Sequence, residues 1–176
     1  MTTSENEKTA LKVCVLTVSD SRNESNDTSG HYLVTALQDD GHECYAKEIV
    51  KDDVYQMRAT VSNWIADNNV DVILTTGGTG FTSRDSTPEA LKPLFDKKIE
   101  GFGEIFRHIS YTEIGTSTIQ SRALAGIANR TVIFCMPGST GACKTAWSII
   151  SSQLDSTYKP CNFVGQVTNS FCTTRG

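Results

Sequence analysis

The chain lacks most of the features that would give it away quickly. No apolar run approaches the length of a membrane span. The first nine residues, Met1 to Thr9, are polar and carry no apolar signal core. Together these point to a cytoplasmic protein with no membrane partner. No Lys/Arg cluster stands out, and the formal net charge is −4 with a pI of about 5.3, which argues against nucleic acid as a partner. Six cysteines, at positions 14, 44, 135, 143, 161 and 172, include no C-x-x-C pair, so a zinc site is not indicated. Cys14 and Cys135 sit in apolar runs, where a free thiol serves as a small hydrophobe. His31, His42 and His108 are scattered without ligand spacing and read as structural or exposed. There are no internal repeats and no low-complexity tract.

What remains is 176 residues, enough for one domain with a full core. Residues 1–10 read as a flexible arm, 11–158 as the domain and 159–176 as a tail. Strand and helix patterns alternate. Lys12–Val18 reads as a buried strand, followed by a polar loop from Ser19 to Gly30 and a helix with Leu33, Val34 and Leu37 inward, ending at Gly41. Glu43–Val50 is a second strand. Val54, Met57, Val61, Trp64 and Ile65 mark a second helix, and Val70–Thr76 a third strand. Helices over Pro88–Leu94 and about Gly101–Tyr111 follow. Arg122–Ala128 and Thr131–Met136 form a hairpin turning at Asn129-Arg130. Cys143, Ala146, Trp147, Ile150 and Leu154 trace one face of a last helix, with a short strand near Phe163 in the tail. Such alternation predicts a three-layer α/β/α domain with a mostly parallel sheet. Its strand-following loops, Ser19–Gly30, Val50–Asp53, Gly77–Thr87 and Pro137–Ser139, then gather at the carboxyl edge, where ligands bind.

The most informative segment runs from Val70 through the glycine turn Gly77-Gly78-Thr79-Gly80 to Arg84-Asp85 and Glu89. Glycines without Cβ let a ligand touch backbone N–H groups, an arrangement that cradles anions. Two helix starts fit equally: Thr87 as cap before Pro88, or Ser86 with Glu89 as a capping box. Asp85 conflicts with an anion site, because like charges ~4 Å apart repel by ~4 kcal/mol at an effective dielectric of 20. A cation between them resolves the conflict. Mg²⁺ takes one or two carboxylates plus phosphate oxygens, and Arg84 also suits phosphate geometry. Asp52 and Asp53 are open to two readings, as acids at the start of the second helix or as metal ligands. Pro137-Gly138-Ser139 is equally a helix cap or a set of N–H groups facing a phosphate.

Thr17-Val18-Ser19-Asp20, the block from Leu74 to Ala90, Ser121-Arg122 and Pro137-Gly138 resemble the molybdopterin adenylyltransferases, which comprise the MogA and MoaB proteins and the G domains of gephyrin-like proteins. The resemblance runs from about Leu11 to Leu154 and implies the molybdopterin-binding fold. Asp27-Thr28-Ser29-Gly30-His31-Tyr32, Glu113 to Thr118 and Pro137-Gly138-Ser139-Thr140 are similar to the MoaB branch in particular. Many family members carry Pro-Gly-Asn-Pro where this chain has Pro137-Gly138-Ser139-Thr140. The resemblance implies adenylylation of the terminal phosphate of molybdopterin by Mg-ATP, with release of pyrophosphate. It also leaves an alternative, a molybdopterin-binding protein without catalysis. It maps the catalytic and metal-binding pair onto Asp52 and Asp85. Nucleotide phosphates fall to Thr76, Gly77, Gly78, Thr79, Gly80, Gly138 and Ser139, and the substrate side to Ser19, Asp20, Ser110, Ser121 and Arg122. The implied cofactor is Mg²⁺, with ATP as co-substrate, molybdopterin as partner and a homotrimer or homohexamer as the assembly.

Overall fold

The structure, a computed structural model, describes residues 8–168. The first seven residues of the expected arm, the end of the tail from residue 169 and Cys172 lie outside the described residues. Among the described residues, six strands form one sheet: β1 (Lys12–Val18), β2 (Glu43–Val50), β3 (Val72–Thr76), β4 (Lys97–Lys98), β5 (Leu124–Ala128) and β6 (Thr131–Met136), in the order β2-β1-β3-β6-β5-β4. The first three pairings are parallel and the last two antiparallel. Among the described residues, six α-helices accompany it: α1 (Thr28–Asp39), α2 (Val54–Ala66), α3 (Thr87–Leu91), α4 (Glu100–Ile114), α5 (Thr140–Gln153) and α6 (Val164–Val167).

The period of two in the central strands builds the three layers. Val13 and Val15 of β1, Val72 and Leu74 of β3, and Val132 and Phe134 of β6 face one core, which Leu33, Leu37, Phe106, Trp147 and Ile150 complete. The intervening Cys14, Leu16, Ile73, Ile133 and Cys135 face the other, against Met57, Val61, Trp64 and Leu91. Each fully buried Val, Leu or Ile side chain contributes about 1.5–3 kcal/mol. Cys14 and Cys135 are buried, with thiols pushed up to about 12 chiefly by burial, so both act as apolar filler. His42 is buried too, its Nδ1 accepting the Leu11 N–H at 3.2 Å.

Asn129 and Arg130 both have positive φ, 45° and 69°, the geometry of a tight hairpin turn, and β5 pairs antiparallel with β6 as expected. Gly41, at φ 87°, stops α1. Six expectations need correcting. Strand β3 begins at Val72 rather than Val70, whose N–H closes a turn onto the Asp67 carbonyl at 3.1 Å. Strand β5 begins at Leu124 rather than Arg122, whose N–H donates to the Thr79 carbonyl at 3.1 Å. Helix α1 starts at Thr28 rather than after Gly30, because Asp27 caps it by accepting the Gly30 N–H. The Pro88–Leu94 helix tightens into a 3₁₀ turn over Lys92–Leu94. Phe163 lies in no strand. It precedes the short helix α6 and sets its ring edge-on to Phe134 at 6.3 Å. Finally, α4 runs to Ile114 and continues as a 3₁₀ stretch, Gly115–Gln120, which no periodicity announced. Among the described residues no helix is long and apolar enough to cross a membrane.

Candidate functional site

Strand β3 ends in the middle of the sheet, between β1 and β6, and the chain must turn there at once. Gly77 (φ 109°) and Gly78 (φ 66°) make the turn. A Cβ on Gly77 would lie 2.1 Å from the Val18 carbonyl oxygen, and one on Gly78 would lie 2.3 Å from the Thr87 hydroxyl, so neither position admits a side chain. The Thr87 hydroxyl donates to the Gly77 carbonyl at 2.8 Å, and the Thr87 N–H to that of Gly78 at 2.9 Å. This ties α3 to the turn. Ser86 occupies the cap position of α3 but makes no cap bond, and its buried hydroxyl has no hydrogen-bond partner. The Ser86 frame therefore sets where the helix starts, without the reciprocal bonds of a capping box. Gly138 packs on the turn from the β6 side: its Cβ would stand 3.3 Å from Gly77 Cα.

The two aspartates converge. Asp52 and Asp85 line one cavity of about 400 Å³ with Ser19, Gly77, Gly78, Thr79, Gly80, Gly138 and Ser139. A Cβ on Gly78 would lie 2.9 Å from Asp52 Oδ1, and one on Gly80 would lie 2.9 Å from Asp85 Oδ2, so both carboxylates lean on the glycine loop. Asp85 Oδ2 accepts from the Thr82 N–H at 2.9 Å and the Thr82 hydroxyl at 2.7 Å. Burial pushes the Asp85 carboxyl up, but these bonds, the Gly80 N–H and the charge of Arg122 outweigh it and hold it below its ordinary value. Asp52 goes the other way: burial, then the charges of Asp20 and Asp85, raise it. Asp53 is distinct from its neighbour. It caps α2, accepting the Tyr55 and Gln56 N–H groups at 2.9 and 2.8 Å. Of the adjacent pair, the first residue faces the cavity and the second starts the helix.

Other residues singled out in the sequence are occupied in ways spacing could not reveal. Asp20 takes a two-pronged ion pair from Arg84, at 2.8 and 2.9 Å, and accepts the Asp52 N–H at 3.2 Å. That hydrogen bonding from Arg84 is the main reason its carboxyl sits below the ordinary value. Arg84 is thus paired rather than free. Buried Thr76 donates its hydroxyl to the Pro137 carbonyl at 3.0 Å. Ser139 caps α5 by accepting the Ala142 N–H, and it also lines the cavity. Arg122 brackets the glycine loop. Its guanidinium donates to the carbonyls of Gly80 at 3.0 Å and Asp85 at 3.2 Å, pairs with Glu89, and lies over the Phe81 ring at 5.1 Å.

The cavity is also lined by Ser110 and Ile114 of α4, by Ser117 and Gln120 of the 3₁₀ stretch after it, and by Ser121. Of these, Ile114, Ser117 and Gln120 are not assigned to the site from sequence: Ile114 and Ser117 fall in the segment 113–118, noted only for its resemblance, and a Ser/Thr/Gly-rich 3₁₀ turn has no helical period to show which of its residues face inward. A larger cavity of about 640 Å³ lies beyond Arg122, lined by Glu89, Lys92, Phe95, Glu104 and Arg107 among others, and it shares Ser121 with the first. It has neither the glycine turn nor the paired acids, so the smaller cavity is the candidate site.

Among the described residues, no three His, Cys, Asp or Glu side chains are grouped to hold a metal on their own. Two carboxylates at an open cavity form a hard-oxygen donor set. That suits Mg²⁺, which keeps water and borrows phosphate oxygens, and does not suit a closed structural zinc site. The Asp52 carboxyl, raised by burial and then by the charges of Asp20 and Asp85, is the feature a cation would relieve.

Residues 14–156 match the family model described as a probable molybdopterin binding domain. Molybdenum cofactor biosynthesis protein B of Escherichia coli K12 is 59% identical over 153 residues, spanning 86% of this chain and 90% of that one. A solved structure of a molybdenum cofactor biosynthesis protein B superposes with a TM-score of 0.82 at 41% identity, covering 93% of this chain and 97% of the other. The tungsten cofactor synthesizing protein MoaB from Pyrococcus furiosus does so with a TM-score of 0.74 at 40% identity, covering 82% and 92%. By family model, sequence identity and superposition alike, the chain belongs to the molybdopterin-binding domain family, among the molybdenum cofactor biosynthesis B proteins.

Proposed function

We propose that this protein is an Mg²⁺-dependent adenylyltransferase of molybdenum cofactor biosynthesis, transferring AMP from ATP to the terminal phosphate of molybdopterin and releasing pyrophosphate. Family membership supports the pathway. The observation that carries the reaction type is the meeting of Asp52 and Asp85 at the cavity floored by Gly77–Gly80.

Nucleotidyl transfer asks a protein for positioning and charge neutralisation more than for covalent chemistry. In this reading the Gly78 and Thr79 N–H groups of the turn and those of Gly138-Ser139 receive nucleotide phosphates, with the first turn of α5 adding its positive end; the Gly77 N–H is held by the Met136 carbonyl at 3.0 Å and the Gly80 N–H by Asp85. Asp52 and Asp85 would hold Mg²⁺, which when bound neutralises charge on the phosphates. Asp85 is ready ionised and fixed by Thr82. Asp52 must be deprotonated to take part. Ser110, Ser117, Gln120 and Ser121, which line the same cavity, offer hydroxyl and amide groups to the second substrate.

The homotrimer or homohexamer implied by the resemblance belongs to the same reading. It gains support from the exposed Ile105, Tyr111, Ile114 and Ile119 along α4 and the turn after it. The test of function is incubation with ATP, Mg²⁺ and molybdopterin, with adenylylated product and pyrophosphate measured together. Product above a no-enzyme control is expected. Molybdopterin binding with no product would instead make the chain a holding protein of the pathway.

A further inference from the structure

The roles proposed so far leave one buried charge without a task. Asp27 has no exposed surface. Burial pushes its carboxyl up, but hydrogen bonds from Lys47, the Gly30 N–H and Thr17 outweigh it and hold it below the ordinary value. Its Oδ1 accepts from Gly30 at 2.9 Å, and its Oδ2 from the Thr17 hydroxyl at 2.9 Å, with Lys47 Nζ also at 2.9 Å. A Cβ on Gly30 would fall 2.1 Å from Oδ2, so the start of α1 closes directly over the carboxylate. Asp27 thereby locks the first turn of α1 to β1 through Thr17 and to β2 through Lys47.

That turn grips the opposite loop. The Ser29 hydroxyl, buried, donates to the Gly138 carbonyl at 2.6 Å. One residue earlier, the Thr28 hydroxyl accepts from that of Thr140 at 3.2 Å. A peptide group is planar and trans, so its C=O and N–H point opposite ways. With the Gly138 carbonyl drawn toward α1, the Ser139 N–H points away from α1. Gly138 and Ser139 both line the candidate cavity.

We propose that Ser29, held by the Asp27–Lys47 pair, is a positioning residue that aims the Ser139 N–H at an incoming nucleotide phosphate. The inference rests on reading the cavity as a nucleotide site. Truncating Asp27 would strand Lys47 and risk unfolding, so Ser29 is the position to test. Mg-ATP binding to the full chain is measured by calorimetry for wild type, Ser29→Ala and Ser29→Thr, alongside thermal melting and adenylyl transfer at saturating Mg-ATP. Ser29→Ala should weaken Mg-ATP about five- to tenfold, as loss of one hydrogen bond would. Its melting temperature should fall by roughly 2–12 °C, because the Gly138 carbonyl loses its buried donor, while turnover at saturation stays near wild type; Ser29→Thr, which keeps the hydroxyl, should recover the affinity. Unchanged affinity in Ser29→Ala, or equal loss in both variants, overturns the inference. Hydrogen exchange at the Ser139 amide separates it from the proposed function. Should wild type bind no Mg-ATP, the nucleotide reading fails. Faster exchange in Ser29→Ala but not in Ser29→Thr would still show Ser29 fixing that peptide, and no change would remove the positioning role as well.

Discussion

Alanine at Gly77 and alanine at Gly80 should do opposite things, although the two residues are three apart in one loop. Gly77 has φ 109°, and its new Cβ would stand 2.1 Å from a backbone carbonyl of β1, a strand that cannot retreat. Holding a non-glycine residue there costs about 1–3 kcal/mol and the overpacking about another 1–3 kcal/mol. At roughly 2–4 °C per kcal/mol for a chain of this size, the loss of about 2–6 kcal/mol lowers Tm by roughly 5–20 °C. Gly80 has no such backbone demand. Its Cβ would meet Asp85 Oδ2 at 2.9 Å and Cγ at 3.2 Å, atoms of a side chain that can swing aside. Swinging strains the bonds from Thr82, which costs about 1 kcal/mol where water can replace them. It also moves the carboxylate on which the proposed metal site depends, and a displacement of about 1 Å can cost on the order of 100-fold in rate. Chemical denaturation of the ligand-free variants and initial rates with Mg-ATP and molybdopterin measure both effects. The reasoning fails if Gly77→Ala is as stable as wild type, or if Gly80→Ala keeps full activity.

Three further outcomes are expected. Asp53→Ala removes the α2 cap and should lower stability by about 1 kcal/mol while leaving turnover intact, which separates it from Asp52 in a melting and rate comparison. Arg122→Lys keeps the charge but cannot reproduce the fork across Gly80, Asp85 and Glu89. It should raise the Mg-ATP concentration needed for half-maximal rate by about tenfold, and an unchanged value would show that the bracket is ornamental. Asp52 gives a pH signature. Its carboxyl is raised by burial and by Asp20 and Asp85, so its contribution to folding is fully present below the ordinary carboxylate value and is lost as pH rises through the raised one. Asp52→Asn should therefore melt higher than wild type near pH 7 without ligand, with the difference shrinking toward pH 4. Melting curves across that range check this.

The strands of the sheet centre were legible because each is a short run dominated by Val, Ile, Leu, Phe or Cys, and the more polar β2 (Glu43–Val50) because it lies between the Gly41 stop and the next helix. Lys12–Val18, Glu43–Val50 and Thr131–Met136 appear with the expected bounds. The gathering of four strand-following loops at one edge also held, since a parallel sheet leaves its connections little choice. Strand β4 was illegible because two exposed lysines pair with β5 through backbone alone. Phe163 misled as a lone aromatic in a polar tail: with Val164 and Val167 it spans barely one helical turn, too little for a period to show. Within the site, residue types were readable but their partners were not. Nothing local separates Asp52 from Asp53, pairs Arg84 with Asp20 across sixty-four positions, or turns Arg122 onto carbonyls of the glycine loop. Those are contacts between distant segments, fixed only once the sheet brings the loops together.

The account stands most directly on metal-dependent nucleotide binding by the two aspartates. Calorimetric titration of ATP into wild type, Asp52→Asn and Asp85→Asn, each with and without Mg²⁺, isolates it. Wild type should bind ATP tightly only with Mg²⁺, and in either variant most of the gain from the metal should vanish while the fold persists. Equal ATP affinity with and without Mg²⁺ in all three proteins would contradict it.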